Sequence, residues 1–453
     1  MKAEGLSHLS SHYRSTARYK DSLLSEHGQE AVLDRLLPDT DNLPRRLPGV
    51  GRISARSLEL FWHAIGTDAG RGAARSTLLG AETPETMEAY GGNIENFIGT
   101  VRLPVGLAGP LRINGFFAQG DFLIPLATTE AALVASYHRG AQLLSEAGGC
   151  AAMLLSEGMN RAPGFAFVDL REVGQFVAWA LTEVETFRAK AEATTRFGKL
   201  CDMKIAVEGN HVYLDFEYTT GDASGQNMVT IATAAICDYI VAESPVKPRY
   251  HFVEANISGD KKASARSFLT VRGKKVTAEV VIPGRLIAKR LHTTAKEMEQ
   301  YWRMSAIGGV MSGTIGIQGH YANGLTALYI ASGQDAACIA ESAVGVTRFE
   351  VVPSGESDTP DNLYASVTLP NLVVGTVGGG TGLPTQRACL DILGLAGPGN
   401  ACALAEVCAA LSLAGELSII GALAAGDFAS AHQRLARSRV KETTPEPDHD
   451  HAG

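Results

Sequence analysis

The chain has 453 residues, 45% of them hydrophobic and 19% charged, enough to bury sizeable cores and more than one compact unit. A formal net charge of −8 argues against a nucleic-acid-binding surface, while a local basic pocket for anionic cofactors stays open. Seven scattered cysteines without CxxC or metal-type spacing predict reduced thiols in a cytoplasmic setting and no metal site. The first thirty residues carry charges throughout and hold no apolar signal core. No run of 18 or more apolar residues is evident, so no membrane span is expected.

Residues 1–60 are polar, and Pro38, Pro44 and Pro48 break any long helix. A helix is predicted over 84–95, ending at Gly91-Gly92, then a loop over 103–110 and a strand-like stretch over 111–126. Apolar residues at helical spacing follow over 131–144, with Thr128 or Thr129 as N-cap. From 164 the texture changes: a strand at 165–168, an amphipathic helix at 172–194, and paired strands at 201–207 and 211–218 joined at Gly209-Asn210. A helix at 226–242 and a strand at 249–254 complete the set. Strand–helix–strand–strand–helix–strand is a split βαβ, or ferredoxin-like, unit inserted in a larger domain. Further on, the glycines of 303–325 suit close helix packing, 336–344 and 399–425 read as buried helices, and 376–382 is a glycine loop. The charged tail 441–453 reads as disordered. The fold expected is α+β, with a mostly helical N-terminal region (1–94), a large substrate domain (95–163 and 253–440) and a small domain (164–252).

Four segments each bring polar chemistry into apolar, glycine-rich surroundings. Glu130 opens a helix, where it is either a buried proton donor or a carboxylate favoured by the helix dipole. Asp260-Lys261-Lys262 follows a strand; its ammonium groups either meet an oxyanion and an anionic substrate or are solvated surface. Asp335, flanked by apolar residues, is either a paired or pKa-shifted carboxylate or a cap. His432 either protonates a leaving group or lies on an exposed tail. Gly221-Asp222-Ala223-Ser224-Gly225-Gln226-Asn227 joins a strand to a helix N-terminus, a geometry that cradles phosphates, although it is not GxGxxG.

Together these segments resemble hydroxymethylglutaryl-CoA reductase, of the class found in eukaryotes, archaea and some bacteria. The resemblance runs through ENFIGTVRLPVGLAGPL (95–111), PLATTEAALVAS (125–136), EGMNRAP (157–163), GDASGQNM (221–228), DKK (260–262), ANGLTALYIASGQDAA (322–337), GTVGGGTGLPTQRACLDILG (375–394) and LAGELSIIGALAAG (413–426). It implies a large domain around a central helix, a small NADP-binding domain, a C-terminal flap carrying His432, and a site shared between two subunits of at least a homodimer. By position, Glu130, Lys261, Asp335 and His432 match the family's catalytic residues, and Asn323 its supporting asparagine. Arg161 and Lys262 match the residues that hold the acyl carboxylate, beside Asp260; Arg139 keeps positive charge where CoA phosphates are expected. Thr195, Arg196, Asp222, Gly225 and Asn227 fall where the family contacts NADPH, with Arg196 suited to the 2′-phosphate.

Two departures bear on the substrate. Glu254 stands where the family has a serine near the acyl carboxylate, with Ser258 as a nearby substitute. His138, Gln142 and His292 stand at positions that elsewhere contact CoA phosphates. The expected reaction is NADPH-dependent four-electron reduction of an acyl-CoA thioester, hydroxymethylglutaryl-CoA to mevalonate. The alternatives are the same chemistry on another acyl thioester (carrier-protein-bound included), a non-catalytic thioester-binding homologue, and mevalonate oxidation with NAD.

Overall fold

A computed structural model describes residues 52–66, 68–80 and 86–426, with scattered positions between 18 and 47. His432 and the tail 441–453 lie outside the described residues. Near the N-terminus, α1 (Ala55–Ile65) and α2 (Ala69–Leu78) form a small cluster of their own around Leu58, Trp62, Met87 and Phe97. Trp62 Nε1 donates to Ile98 O at 3.0 Å, fastening this cluster to the chain that follows. Of the helix expected over 84–95, residues 84 and 85 lie outside the described residues, Thr86 is helical, and Met87–Tyr90 form a 3₁₀ turn that Gly91 closes by donating to Glu88 O.

The chain then builds a mixed helix-and-sheet body. Strands β1 (Val105–Gly115) and β2 (Gln119–Ala127) form a hairpin, so the strand expected over 111–126 is two strands turning at 116–118. Helix α3 (Leu133–Glu146) follows; its N-cap is Ala132 in the left-handed region, not Thr128 or Thr129. The long β3 (Cys150–Arg161) belongs to two sheets: 151–158 pair with β8 (Gly273–Ile282), and 159–161 with β6 (His211–Thr219). One sheet therefore runs β2-β1-β3-β8-β10-β9, where β9 is Val346–Val352 and β10 Asn362–Leu372. Alternation explains its burial: along β8, Lys274, Val276, Ala278, Val280 and Ile282 face inward.

The second sheet contains β4 (Gly164–Ala166), β5 (Lys199–Glu208), β6 and β7 (Tyr250–Phe252) in the order β7-β4-β6-β5, each pair antiparallel. The helix expected over 172–194 breaks at Glu183 into α4 (Leu170–Thr182) and α5 (Val184–Glu192), since Glu183 N–H turns back to Ala180 O. Helix α6 (Gln226–Glu243) packs against α5 and β3.

Beyond β8 come α7 (Gly284–Leu291), α8 (Ala295–Ser312), α9 (Tyr321–Ser332), α10 (Ile339–Ser342), α11 (Pro384–Leu393) and α12 (Ala401–Ala424). The glycine-rich 303–325 is thus two helices, parted where Gly313 adopts φ +75°. Helix α12 is long and apolar enough on average to cross a membrane by composition, although Glu406, Ser412, Glu416 and Ser418 interrupt any unbroken apolar run in it. Almost all of it is buried, against α3, α8, α9 and the first sheet, and a helix apolar on every side belongs in a core. Its two glutamates are satisfied by backbone: Glu406 accepts from Phe117, Ala118 and Leu154 N–H, and Glu416 from Gly319 and His320 N–H. Close approach needs glycine at the α3–α12 crossing, where a Cβ on Gly140 would lie 1.9 Å from Ala414 O. Tyr137 fills the remaining space between Gly324 and Gly415, its hydroxyl donating to His320 O at 3.2 Å.

Candidate active site

The turn after β7 is stiffened by its own side chains. Glu254 accepts from Asn256 N–H at 2.7 Å and from Ser258 Oγ at 2.9 Å, and Ser258 Oγ accepts from Asp260 N–H at 3.2 Å. Asn256, Gly259 and Lys261 all have positive φ, and Lys261 at +56° is a conformation a lysine holds only when its surroundings insist. That hold comes from below. Glu341, on α10 and fully buried, accepts from Lys261 N–H at 3.2 Å and pairs with Arg272 at 2.8 Å. Arg272 also pairs with Asp260, which in turn takes a 2.9 Å bond from Arg161. Burial works against ionisation of Asp260, but Arg272 and Arg161 hold its carboxyl below the usual range. Burial pushes Glu341 upward, with Arg272 pulling it back.

The Lys261 ammonium emerges from this base and meets Asp335 Oδ2 at 2.8 Å. Asp335 follows Gly333, the left-handed end of α9, and caps a short 3₁₀ turn by accepting from Ala337 N–H at 3.0 Å. Both readings of Asp335, pair and cap, therefore hold at once. The hydrogen bond from Lys261 leads the rise in the Lys261 pKa above its ordinary value. Burial alone would raise Asp335, but Lys261 and the Ala337 N–H together leave it lowered. The pair lines a cleft of about 720 Å³ shared with Gly225, Gln226, Asn227 and the loop 377–381. Gly333 touches that loop so closely that a Cβ would fall 2.3 Å from Gly380 O.

Glu130 sits elsewhere. It is exposed, so the burial expected of it is not supplied by this chain, and it accepts from Asn323 Nδ2 at 2.7 Å. The two line a different cleft, of about 310 Å³, which shares Ile330 with the first. Asn323 and Ser332 lie near opposite ends of α9, and nine residues at 1.5 Å each put about 14 Å between them. One chain thus carries two half-sets, Lys261–Asp335 and Glu130–Asn323, at two ends of one helix.

The other predicted positions divide similarly. Lys262 is exposed, its ammonium donating to Asp260 O at 2.7 Å. Arg139 turns onto α12, where it donates to Ser418 O at 2.8 Å. Thr195 closes a turn by accepting from Gly198 N–H at 3.1 Å, and Arg196 beside it is exposed. Asp222 accepts from Gly399 and Ala401 N–H at 2.8 and 3.2 Å, tying its loop to the start of α12. Gly225 is the left-handed N-cap of α6 and Asn227 lies in its first turn, which opens into the Lys261 cleft. Among the described residues no cluster of three or more metal-ligating side chains occurs. Sequence reading missed Arg272, Glu341 and Gln226, whose amide reaches Asp335 at 3.4 Å. Arg272 and Glu341 stand 69 positions apart, and no local pattern links them.

Residues 71–437 match the family model for hydroxymethylglutaryl-coenzyme A reductase. The chain is 44% identical over 366 residues to 3-hydroxy-3-methylglutaryl-coenzyme A reductase of Pyrococcus abyssi, covering 79% of this chain and 88% of that one. It is 40% identical over 395 residues to the protein of that name in Haloferax volcanii, covering 84% and 95%. In fold it is similar to the class II 3-hydroxy-3-methylglutaryl-CoA reductase of Streptococcus pneumoniae, solved bound to NADPH. There the TM-score is 0.61 at 19% identity, covering 81% of this chain and 96% of that one.

Proposed function

Since the chain belongs to the hydroxymethylglutaryl-coenzyme A reductase family, we propose that its two half-sets serve NADPH-dependent reduction of hydroxymethylglutaryl-CoA to mevalonate. The observation that carries this is the Lys261–Asp335 pair, 2.8 Å apart, in a cleft walled by a helix N-terminus and a glycine loop. Bound NADPH supplies two hydrides in succession, one to the thioester carbonyl and one to the aldehyde that follows. The N-terminal turn of α6 offers backbone N–H groups to its phosphates, and exposed Arg196 offers charge to a 2′-phosphate. Lys261 stabilises the oxyanion formed at the carbonyl carbon, and Asp335 keeps that ammonium charged and aimed. When the hemithioacetal collapses, the C–S bond breaks and His432 protonates the departing thiolate. A second proton, from Lys261 or Glu130, completes the alcohol; the balance is two hydrides and two protons per thioester.

The separation of Glu130–Asn323 from Lys261–Asp335 supports a site completed by a second copy of the chain. In that arrangement each subunit contributes one half-set, and at least a homodimer is required. Residues 164–252 are read as a ferredoxin-like NADP-binding domain inserted between 95–163 and 253–440; the order β7-β4-β6-β5 supports this. Seven free cysteines support a cytosolic location.

The direct assay follows NADPH oxidation with hydroxymethylglutaryl-CoA, with two NADPH consumed per thioester. A folded, NADPH-binding protein that shows no such oxidation would defeat this reading. Lys261→Ala should lower kcat by about 10²- to 10³-fold, the cost of losing one oxyanion donor. Undiminished turnover in that variant would remove Lys261 from the chemistry and favour a non-catalytic or differently built site.

A further inference from the structure

The Arg161 guanidinium, expected to hold the acyl carboxylate, already faces two protein carboxylates. Its Nη1 donates to Asp260 Oδ2 at 2.9 Å and to Glu254 Oε2 at 3.2 Å. Among the described residues, Nε and Nη2 donate to nothing, and Nε is buried. The wider network is Glu254, Arg161, Asp260, Arg272 and Glu341, three carboxylates on two guanidiniums. Lys262, next in the turn, places its ammonium on a backbone carbonyl. Asp260 and Glu341 are each fixed by Arg272, and Glu341 also by Lys261 N–H; both belong to the base of the turn. Glu254 differs: its contact with Arg161 is the longer of the two, it is not paired with Arg272, and its other partners are Asn256 N–H and Ser258 Oγ in its own turn.

We infer that Glu254 is a specificity-determining residue whose carboxylate competes with an acyl carboxylate for Arg161, weakening this site's hold on anionic acyl groups relative to neutral ones. The inference rests on the assignment of Arg161 to the acyl carboxylate. Its physical basis is like charge. A second carboxylate reaching the unpartnered donors of this buried guanidinium meets Glu254 across one cation, so it must either share that cation or draw Glu254 away from it and from Asn256 N–H and Ser258 Oγ. A serine in its place would leave the guanidinium's remaining donors to the ligand.

The test is calorimetric binding without NADPH, so it does not depend on turnover. Two thioesters are compared, hydroxymethylglutaryl-CoA and its neutral counterpart 3-hydroxy-3-methylbutyryl-CoA, which lacks the carboxylate. Glu254→Ser and the isosteric Glu254→Gln should each tighten the anionic ligand about tenfold or more and leave the neutral one within about twofold, since a charge-assisted contact is worth that much. Equal changes for both ligands, no change, or weaker anionic binding would overturn the inference; the last would make Glu254 a positioning residue for Arg161. Failure of the proposed reaction is read separately, as absent NADPH oxidation by the unaltered protein, and leaves this binding comparison intact.

Discussion

At the residue scale, Lys261 and Asp335 show how a tertiary pair resolves what single residues leave open. An adjacent Lys-Lys is ordinarily solvated surface, yet here one ammonium pairs with a carboxylate and the other with a carbonyl. Asp335 is lowered from 3.8 and Lys261 raised from 10.5, so the pair stays ionised from below the first value to above the second. Any inflection of the rate near neutrality must then come from another group. We predict that kcat falls as pH rises, because the proton donor proposed for the thiolate, His432, would lose its proton. His432→Gln should lower kcat and flatten that limb. A pH–rate profile with the limb intact in the variant would assign it elsewhere.

At the element scale, two glycines in helices have opposite roles, visible only in what surrounds them. Gly140 on α3 lies under the backbone of α12, while Gly174 on α4 has nothing within 4 Å of a Cβ. Gly140→Ala should therefore cost about 1–3 kcal/mol through overpacking, and Gly174→Ala should be neutral or stabilising by up to about 1 kcal/mol. Denaturant midpoints compare the two directly; similar values would contradict the close α3–α12 crossing. That crossing matters to the site because α12 begins at the backbone N–H groups that hold Asp222. Loosening the helix should also disturb the loop leading to the Gly225 N-cap.

At the scale of the whole molecule, the described surface carries an apolar stripe on α8. Met304, Ile307, Val310 and Met311 are 63–83% exposed at helical spacing. We predict that this stripe is covered in the oligomer and that Ile307→Glu with Met311→Glu shifts the mass in light scattering from at least a dimer toward the 47.8 kDa single chain. Turnover should fall with it, as the proposed sharing of Glu130 and Lys261 between two subunits requires. A monomer with full activity would refute the shared site. Much of the architecture was legible in advance: periodicity and turn residues located β5, β6, α6 and α12 to within a few residues, because those signals are local. The unbroken helix over 172–194 and the Thr cap before α3 failed where local backbone geometry outweighed propensity. Motif order in the sequence by itself determined the family and the residue types of the chemistry, because an ammonium and a carboxylate have the same reactivity options wherever they sit. Tertiary structure alone decided which groups meet: that Lys261 takes Asp335, that Glu341, 80 positions beyond Lys261, supports it together with Arg272, and that Glu254 faces Arg161. Charge interactions depend on distance in space, and distance in space is what the folded chain adds to its order.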